Sequence, residues 1–134
     1  MLDTNVVSEA RKKKPHGAVL SWIQSVPPQQ MYIPAVVLGE LQAGVEITRS
    51  QDAAKARELD AWIDRLAATE QIVLMDADCF RQWARLIHRR TAVFYVDAMI
   101  AATALVHDFT VVTRNVRDFA PFRVPLFNPF SHHR

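Results

Sequence analysis

The chain has little glycine, cysteine or surplus charge, and each shortage excludes a class of protein. Its 3 glycines do not form the closely spaced pattern of a dinucleotide-binding turn or a phosphate-binding loop. A single cysteine, Cys79, excludes an internal disulfide and a cysteine-based zinc site. The 16 Lys and Arg against 14 Asp and Glu leave a net charge of +2, which neither implies nor excludes a nucleic-acid partner.

Long apolar segments are missing as well. The charge-free runs 91–96 and 98–106 are separated by Asp97, and each is far shorter than the ~20 residues that cross a bilayer. The first residues, Met-Leu-Asp, lack the basic and apolar regions of a signal peptide. We therefore expect a cytoplasmic protein with no membrane segment. With 134 residues, 50% of them hydrophobic, we expect one domain, 1–134, with its own core.

Helix-like and strand-like segments alternate along the chain. Apolar residues recur at helical spacing, or fill the segment almost all round in the last case, at 19–26, 35–46, 59–67, 80–87 and 97–106. Short β-branched runs predict strands at 31–33, 72–75, 110–113 and 124–127, after a stub at 1–2. Pro125 places the last strand at an edge. The alternation predicts an α/β fold with a central, mostly parallel sheet of about five strands and helices on both faces.

Four acidic residues stand at predicted strand ends or helix starts: Asp3, Glu40, Asp97 and Asp118. Sheets of this kind bind ligands at the carboxyl ends of their strands. Buried carboxylates cannot all stay ionised without a counter-charge, and Mg²⁺ or Mn²⁺ is the natural partner of such oxygens. A site of this type suits phosphodiester hydrolysis by a metal-activated water.

Each acid also has a local interpretation. Asp97 is typical of a residue that caps the start of a helix, and Asp118 is typical of a turn or cap. Asp3 lies near the chain start, and Glu40 faces solvent if its helix is only half buried. Taken singly, none of the four establishes a metal site.

Four segments around these acids resemble the motifs of a known family. They are 2–9 (LDTNVVSE), 37–41 (VLGEL), 96–104 (VDAMIAATA) and 113–119 (TRNVRDF). In order and spacing they are similar to the motifs of PIN-domain ribonucleases, specifically the VapC and FitB toxins of bacterial toxin–antitoxin pairs. The resemblance covers essentially the whole chain and implies a PIN-like three-layer α/β/α fold. Only two residues precede Asp3, fewer than is usual in the family, which predicts a short first strand and a less rigidly placed Asp3.

The resemblance also assigns residues. It implies that Asp3, Glu40, Asp97 and Asp118 converge to bind Mg²⁺ or Mn²⁺ and carry catalysis. Supporting positions are Asn5, Thr113 and Asn115, which orient a carboxylate or water, or else only form turns. Glu9 borders the cleft or pairs with a basic side chain. Arg114, inside the fourth motif, meets phosphate or balances carboxylate charge.

Function and partners follow from the same resemblance. It implies a metal-dependent endoribonuclease, the toxin of a type II toxin–antitoxin system, which cuts tRNA or other structured RNA and leaves a 3′-hydroxyl and a 5′-phosphate. It also implies a homodimer or higher assembly with a small VapB- or FitA-like antitoxin that blocks the acidic groove. Operator DNA would be contacted only through the antitoxin, and no membrane is involved.

Three alternatives remain at this point. One is a catalytically silent PIN-like module that binds RNA or a partner. Another is a metal-dependent phosphatase, although Asn5 stands where such enzymes usually carry a second Asp. The third is a phosphoryl-accepting receiver domain, although no Lys follows the later strands. The basic residues 11–14 and the arginines at 81, 85 and 89 are either RNA phosphate contacts or a solvated surface.

Overall fold

Helices make up most of the computed structural model, which describes residues 1–131. Their bounds are α1 Thr4–Arg11, α2 Gly17–Ser25, α3 Ala35–Arg49, α4 Ala53–Thr69, α5 Ala77–Leu86, α6 Tyr95–His107 and α7 Val116–Phe119. Short 3-10 turns stand at Pro28–Gln30, Ala92–Phe94, Ala120–Phe122 and Pro129–Ser131. Within the described helices, none is long and apolar enough to cross a membrane.

The strands are short, and they pair in parallel. Their bounds are β1 Tyr32–Pro34, β2 Gln71–Val73, β3 Val111–Val112 and β4 Leu126–Phe127. β1 pairs with β2, with Tyr32 opposite Gln71. β3 pairs with β4, with Val111 opposite Leu126. β4 is at the edge, as its proline predicts, because β3 is its partner on one side only.

The first three residues join the two strand pairs. The Leu2 amide donates to the Tyr32 carbonyl at 2.8 Å, and the Val112 amide donates to the Met1 carbonyl at 2.8 Å. The Asp3 amide then donates to the Val112 carbonyl at 2.9 Å. Leu2 forms an isolated parallel bridge with Val112, so the first strand is as short as predicted. The resulting order is β2, β1, residues 1–3, β3, β4, which places Asp3 at the centre of the sheet edge.

Helix α6 forms the centre of the core. Its Ala98, Ile100, Ala101 and Ala104 are fully buried, which confirms the prediction of a helix that is apolar almost all round. Small side chains on α6 let neighbouring helices approach closely, and α5 packs along it. A second, smaller apolar cluster lies between α3 and α4, built on Val45, Ala56 and Ile63.

The structure corrects several sequence predictions. A helix, α1, fills residues 4–11, where only motif residues were recognised. The buried helix begins at Tyr95 rather than at Asp97, because the turn Ala92–Phe94 leads directly into it. Asp97 therefore lies in the first turn and is not the cap, so the capping interpretation is wrong. Helix α5 ends at Leu86, so the predicted arginine row does not continue to position 89.

Candidate active site

Asp3 is the most firmly held of the four acids. It is 5% exposed and caps α1, because its Oδ1 accepts a hydrogen bond from the Thr4 amide at 2.7 Å. Its Oδ2 accepts from the Thr113 hydroxyl at 2.7 Å and from Asn5 Nδ2 at 3.2 Å. Burial raises the pKa of Asp3, and these three hydrogen bonds oppose the rise. Asp3 is therefore held by hydrogen bonds beside a first strand that is as short as predicted.

Glu40 is tied to the start of α1. It lies exposed on α3, so the expectation that it faces solvent on a half-buried helix is correct. Its Oε1 nevertheless accepts a hydrogen bond from the Thr4 hydroxyl at 2.7 Å. Because the Thr4 amide also binds Asp3, this single threonine links the first two acids.

The pKa of Asp97 is affected by the other three acids. It is partly buried in the first turn of α6. Its pKa is raised to about 6, first by burial and then by the negative charges of Asp3, Asp118 and Glu40. An acid whose proton affinity is raised by three other carboxylates lies in a strongly negative field. The four predicted acids therefore share one electrostatic environment at one edge of the sheet.

Asp118 reaches this environment from a short helix. It lies exposed in the first turn of α7, and its amide donates to the Asn115 carbonyl at 3.1 Å. The turn ahead of α7 is closed by the Thr113 hydroxyl, which accepts from the Asn115 amide at 2.9 Å. Thr113 thus performs turn formation and carboxylate support together, the two roles that the sequence left open.

Asn5 connects α1 to the loop after β3. Its Nδ2 donates to Asp3 and, at 3.3 Å, to the Thr113 hydroxyl. Its Oδ1 accepts from the Arg114 amide at 3.1 Å. Asn5 therefore fixes Asp3 relative to the loop that carries the fourth motif. Asn115 contributes its backbone amide to this arrangement, and its side chain is exposed.

Glu9 and Arg114 lie outside this group. Glu9 is buried, accepts from Lys12 Nζ at 3.0 Å and from the His16 amide at 3.0 Å, and so pairs with a basic side chain. The Lys12 hydrogen bond, followed by that of His16, lowers the pKa of Glu9. The Arg114 guanidinium lies over the Phe130 ring, 4.4 Å from its centroid. Over residues 1–131, Arg114 forms no ion pair with a carboxylate.

The donor chemistry suits a hard divalent cation, although the ligands are not assembled. Within residues 1–131, no group of three or more His, Cys, Asp or Glu side chains is placed to hold a metal ion. Two of the four acids direct oxygens to Thr4, Thr113 and Asn5 instead. All four acids offer oxygen, which Mg²⁺ and Mn²⁺ prefer. Burial and the other three carboxylates raise the pKa of Asp97, and a bound cation would oppose that rise. The residues fit such an ion in kind, and the predicted ligand set stays a prediction.

Sequence reasoning missed Thr4 because it missed α1. The signals were present: Asp3 is a favoured capping residue, and Val6, Val7 and Ala10 follow at helical spacing. Once α1 is recognised, Thr4 becomes its first residue, adjacent to the capping acid. Nothing in the sequence shows that its hydroxyl meets Glu40, because that contact spans 36 positions.

Comparisons with known proteins show the family of this chain. The profile of the PIN domain matches residues 1–123. The plasmid stability protein StbB of Pseudomonas syringae pv. tomato is 31% identical over 138 residues, with 98% of each chain covered. The VapC ribonuclease Y4jK of Sinorhizobium fredii is 31% identical over 141 residues, covering 98% of this chain and 97% of the relative.

A solved structure shares the fold. The structure of FitAB bound to an IR36 DNA fragment matches with a TM-score of 0.77 and 28% identity, over 99% of this chain and 96% of the solved one. The predicted fold class is thereby confirmed, with four strands and the Leu2 bridge at the predicted places, although the strands are shorter than the sequence predicted.

Proposed function

The chain belongs to the PIN-domain family, and on this premise we propose that it is a metal-dependent endoribonuclease, the toxin of a type II toxin–antitoxin pair. The observation that carries the proposal is the surroundings of Asp97, whose pKa is raised first by burial and then by the negative charges of Asp3, Asp118 and Glu40. Clustered carboxylates repel one another and cost stability. Such a cluster is characteristic of a functional site.

The proposed metal site consists of Asp3, Glu40, Asp97 and Asp118, and the proposed ion is Mg²⁺ or Mn²⁺. A divalent cation held there would stabilise negative charge on the scissile phosphate and lower the pKa of an attacking water. The other side chains of the site contribute by positioning the carboxylate oxygens. Thr113 and Asn5 direct one oxygen of Asp3, and Thr4 holds one oxygen of Glu40. These neighbours are all uncharged donors, so they orient the acids without neutralising them.

The attacking group and the bond that breaks determine the products. In the proposed reaction water attacks the phosphorus and the P–O3′ bond breaks, so the leaving 3′ oxygen takes up a proton and the phosphate stays on the 5′ oxygen. The products then carry a 3′-hydroxyl and a 5′-phosphate, and no 2′-hydroxyl takes part. The proposed substrate is tRNA or another structured RNA of the cytoplasm. The support for RNA is the relative named a VapC ribonuclease, which matches almost the whole chain.

We further propose that a small antitoxin of the VapB or FitA type covers the acidic groove. The support is the structural neighbour, a FitAB complex bound to DNA, which matches 99% of this chain. In this proposal the antitoxin supplies the contact with operator DNA, and two copies of the present chain assemble with it.

Cleavage of purified tRNA tests the function. Wild-type protein freed of any co-purified antitoxin is incubated with Mg²⁺ or Mn²⁺, and in parallel with EDTA. We expect cutting that EDTA abolishes and that Asp97→Asn lowers by at least ~10²-fold, since each acid contributes several kcal/mol through the proposed ion.

A matched control separates catalysis from folding. Asp108→Asn changes an exposed acid at the far end of the same helix, in a left-handed conformation that Asn adopts readily. This variant should cut like the wild type. Folded wild-type protein that does not cut any RNA with either metal would contradict the proposal and favour a catalytically silent binding module.

A further inference from the structure

Two neighbouring surface cavities lead away from the acidic site along α1. Its first part, a cavity of about 310 Å³, lies between α1, α3 and α4, with Thr4 and Glu40 among its walls. Its second part, a cavity of about 370 Å³, lies between the end of α1 and the side of α4. The two cavities share Arg11, Leu59 and Trp62 as walls, so they adjoin and together mark a path along α1.

Helix α1 presents a row of polar groups to this path. Thr4, Ser8 and Arg11 all line the first cavity at positions i, i+4 and i+7, which fall on one face of a helix. The row extends about 10 Å, at ~1.5 Å of rise per residue. Thr4 binds Glu40 at the acidic end. The Ser8 hydroxyl and the Arg11 guanidinium make no hydrogen bond or ion pair to any residue of the described chain.

Arg11 is oriented before any ligand arrives. Its guanidinium lies over the Trp62 ring, 5.4 Å from the centroid, an arrangement favoured by the ring's negative face. A stacked guanidinium keeps its N–H edge free, and this planar edge matches two phosphate oxygens. Because Trp62 already restricts the side chain, less entropy is lost when Arg11 binds an anion.

The far end of the groove is basic. Its walls carry five cations and one acid, Glu58, the cations being Arg11, Lys12, Lys13, Lys55 and Arg65. Lys12 pairs with Glu9 and Lys55 pairs with Glu58. Lys13 and Arg65 form no ion pair within residues 1–131. A net charge of +2 for the whole chain is therefore distributed unevenly, with a strong positive excess at this place.

We propose that this groove, hereafter the α1 groove, holds the RNA strand that flanks the scissile phosphate. Ser8 and Arg11 donate to phosphate oxygens next to the acidic site, and Lys13 and Arg65 neutralise phosphates farther along. The inference rests on the proposed function, which places the scissile phosphate at the acids. The strand on either side must then leave the site by a surface path, and the α1 groove opens at Glu40 and becomes positive along its length.

The wall opposite α1 leaves room for a backbone. Gly44 of α3 lines the groove, and a side chain added there would meet no atom within 4 Å. The absence of a side chain keeps the first cavity wide where the flanking nucleotide would lie. A polar row, an oriented arginine and an open wall together suit a sugar–phosphate chain, whose contacts position RNA without reading its sequence.

Binding measured without catalysis tests the α1 groove. A fluorescein-labelled, single-stranded RNA of mixed sequence is titrated with full-length protein in EDTA, and anisotropy gives Kd at several salt concentrations. We expect Arg11→Gln to raise Kd about tenfold, the effect of one charge-assisted hydrogen-bonded pair. The slope of log K against log salt should fall by about 0.7, which is the loss of one contact on a single strand. Arg65→Gln should lower the slope similarly, and Arg11→Lys should retain it.

Arg57→Gln is the matched control. Arg57 lies on α4 like Arg65, is exposed, and lies about 140° around the helix from Trp62 at ~100° per residue. It should leave Kd and the salt slope unchanged. Unfolding curves for each variant verify that the exposed substitutions preserve the fold.

The two proposals fail in different ways. Wild-type protein that binds RNA through Arg11 but never cuts it would overturn the proposed function and leave the α1 groove standing. The groove proposal would be overturned if the Arg11→Gln and Arg65→Gln variants bound RNA like the wild type, whatever the cleavage result. The cations would then belong to a surface for an acidic protein segment.

Discussion

At the scale of single residues, the acidic site is held by neutral donors rather than by cations. Thr4, Asn5 and Thr113 all donate to carboxylate oxygens of Asp3 or Glu40, and the described ion pairs lie elsewhere. A lysine or arginine in their place would neutralise an acid and compete with a metal ion. Neutral donors satisfy buried oxygens and leave the negative charges in place, so these charges add to the effect of burial in raising the pKa of Asp97.

The raised pKa of Asp97 predicts that the site costs stability. Its folded pKa of about 6 lies above the ordinary value of 3.8, so the folded protein binds a proton that the unfolded chain has already released. Stability is therefore lost as pH rises from about 4 to 6. In metal-free protein, Asp97→Asn should raise the free energy of unfolding at pH 7 by about 1–2 kcal/mol, after allowance for partial exposure.

Urea denaturation at two pH values checks this. The gain in the free energy of unfolding from Asp97→Asn should be present at pH 7. It should be nearly absent at pH 3.5, where the Asp97 carboxyl is mostly protonated and therefore as neutral as the asparagine that replaces it. An equal gain at both values would show that packing, rather than charge repulsion, separates the two proteins.

The Thr113 hydroxyl should matter for both stability and activity. Thr113→Val keeps the shape but leaves the buried Asp3 Oδ2 without its 2.7 Å donor, which costs about 1–3 kcal/mol. It should also raise the pKa of Asp3, since the hydroxyl opposes the effect of burial. We expect a fall in the free energy of unfolding at pH 7 and weaker metal-dependent cleavage.

Thr103→Val is the control for that substitution. Thr103 is equally buried, but its hydroxyl donates to the Met99 carbonyl of its own helix, at 2.7 Å, and hydrogen-bonds with the Cys79 side chain, rather than with any of the four acids. It should lose less stability than Thr113→Val and keep full cleavage. Similar losses of cleavage in the two variants would refute a specific role for Thr113.

At the scale of elements, the sequence predicts helices better than strands here. The amphipathic helices α2, α3, α4 and α5 lie close to their predicted positions, because a buried stripe recurs every turn and can be counted. The strands are only two or three residues long, too short for a pattern to fix their ends. Helix α1 was not predicted because its residues were interpreted as a motif, and its start depends on Asp3 as a capping residue.

Helix α3 contains a glycine that its backbone does not require. Gly39 lies in the helix interior, and an added side chain would meet no atom within 4 Å. Gly39→Ala should raise the free energy of unfolding by about 0.5–1 kcal/mol, because alanine loses less conformational freedom in a helix.

The reverse change four positions along the same helix is the control. Ala43 is also exposed on α3, and Ala43→Gly should lower stability by a comparable amount. Both are measured by urea denaturation. A loss of stability with Gly39→Ala would mean that this part of α3 makes a contact that the present packing does not contain.

At the scale of the whole molecule, topology creates the site. Asp3, Glu40, Asp97 and Asp118 are separated by up to 115 positions, and parallel strands bring them to one edge. The sequence could predict this gathering because strand ends of a parallel sheet meet on one side. It could not predict the α1 groove, because the side chains of α1 and α4 that form it come together only through packing.

A divalent cation should stabilise the folded protein as a whole. An ion that binds the folded acids and not the unfolded chain adds about 2.7 kcal/mol at a concentration 100 times its Kd. We expect Mn²⁺ or Mg²⁺ to raise the Tm of the wild type, with a smaller rise for Asp97→Asn. Sodium chloride at matched ionic strength controls for screening. Equal rises in the two proteins would place the ion outside the acidic site.

The terminal groups of the cleaved RNA distinguish attack by water from attack by the RNA's own 2′-hydroxyl. Products of wild-type cleavage in Mg²⁺ or Mn²⁺ are analysed for their terminal groups, with Asp97→Asn alongside. Hydrolysis by water at the acidic site predicts a 5′-phosphate and a 3′-hydroxyl, both absent with Asp97→Asn. A 2′,3′-cyclic phosphate would show attack by the RNA's own 2′-hydroxyl and would contradict the account.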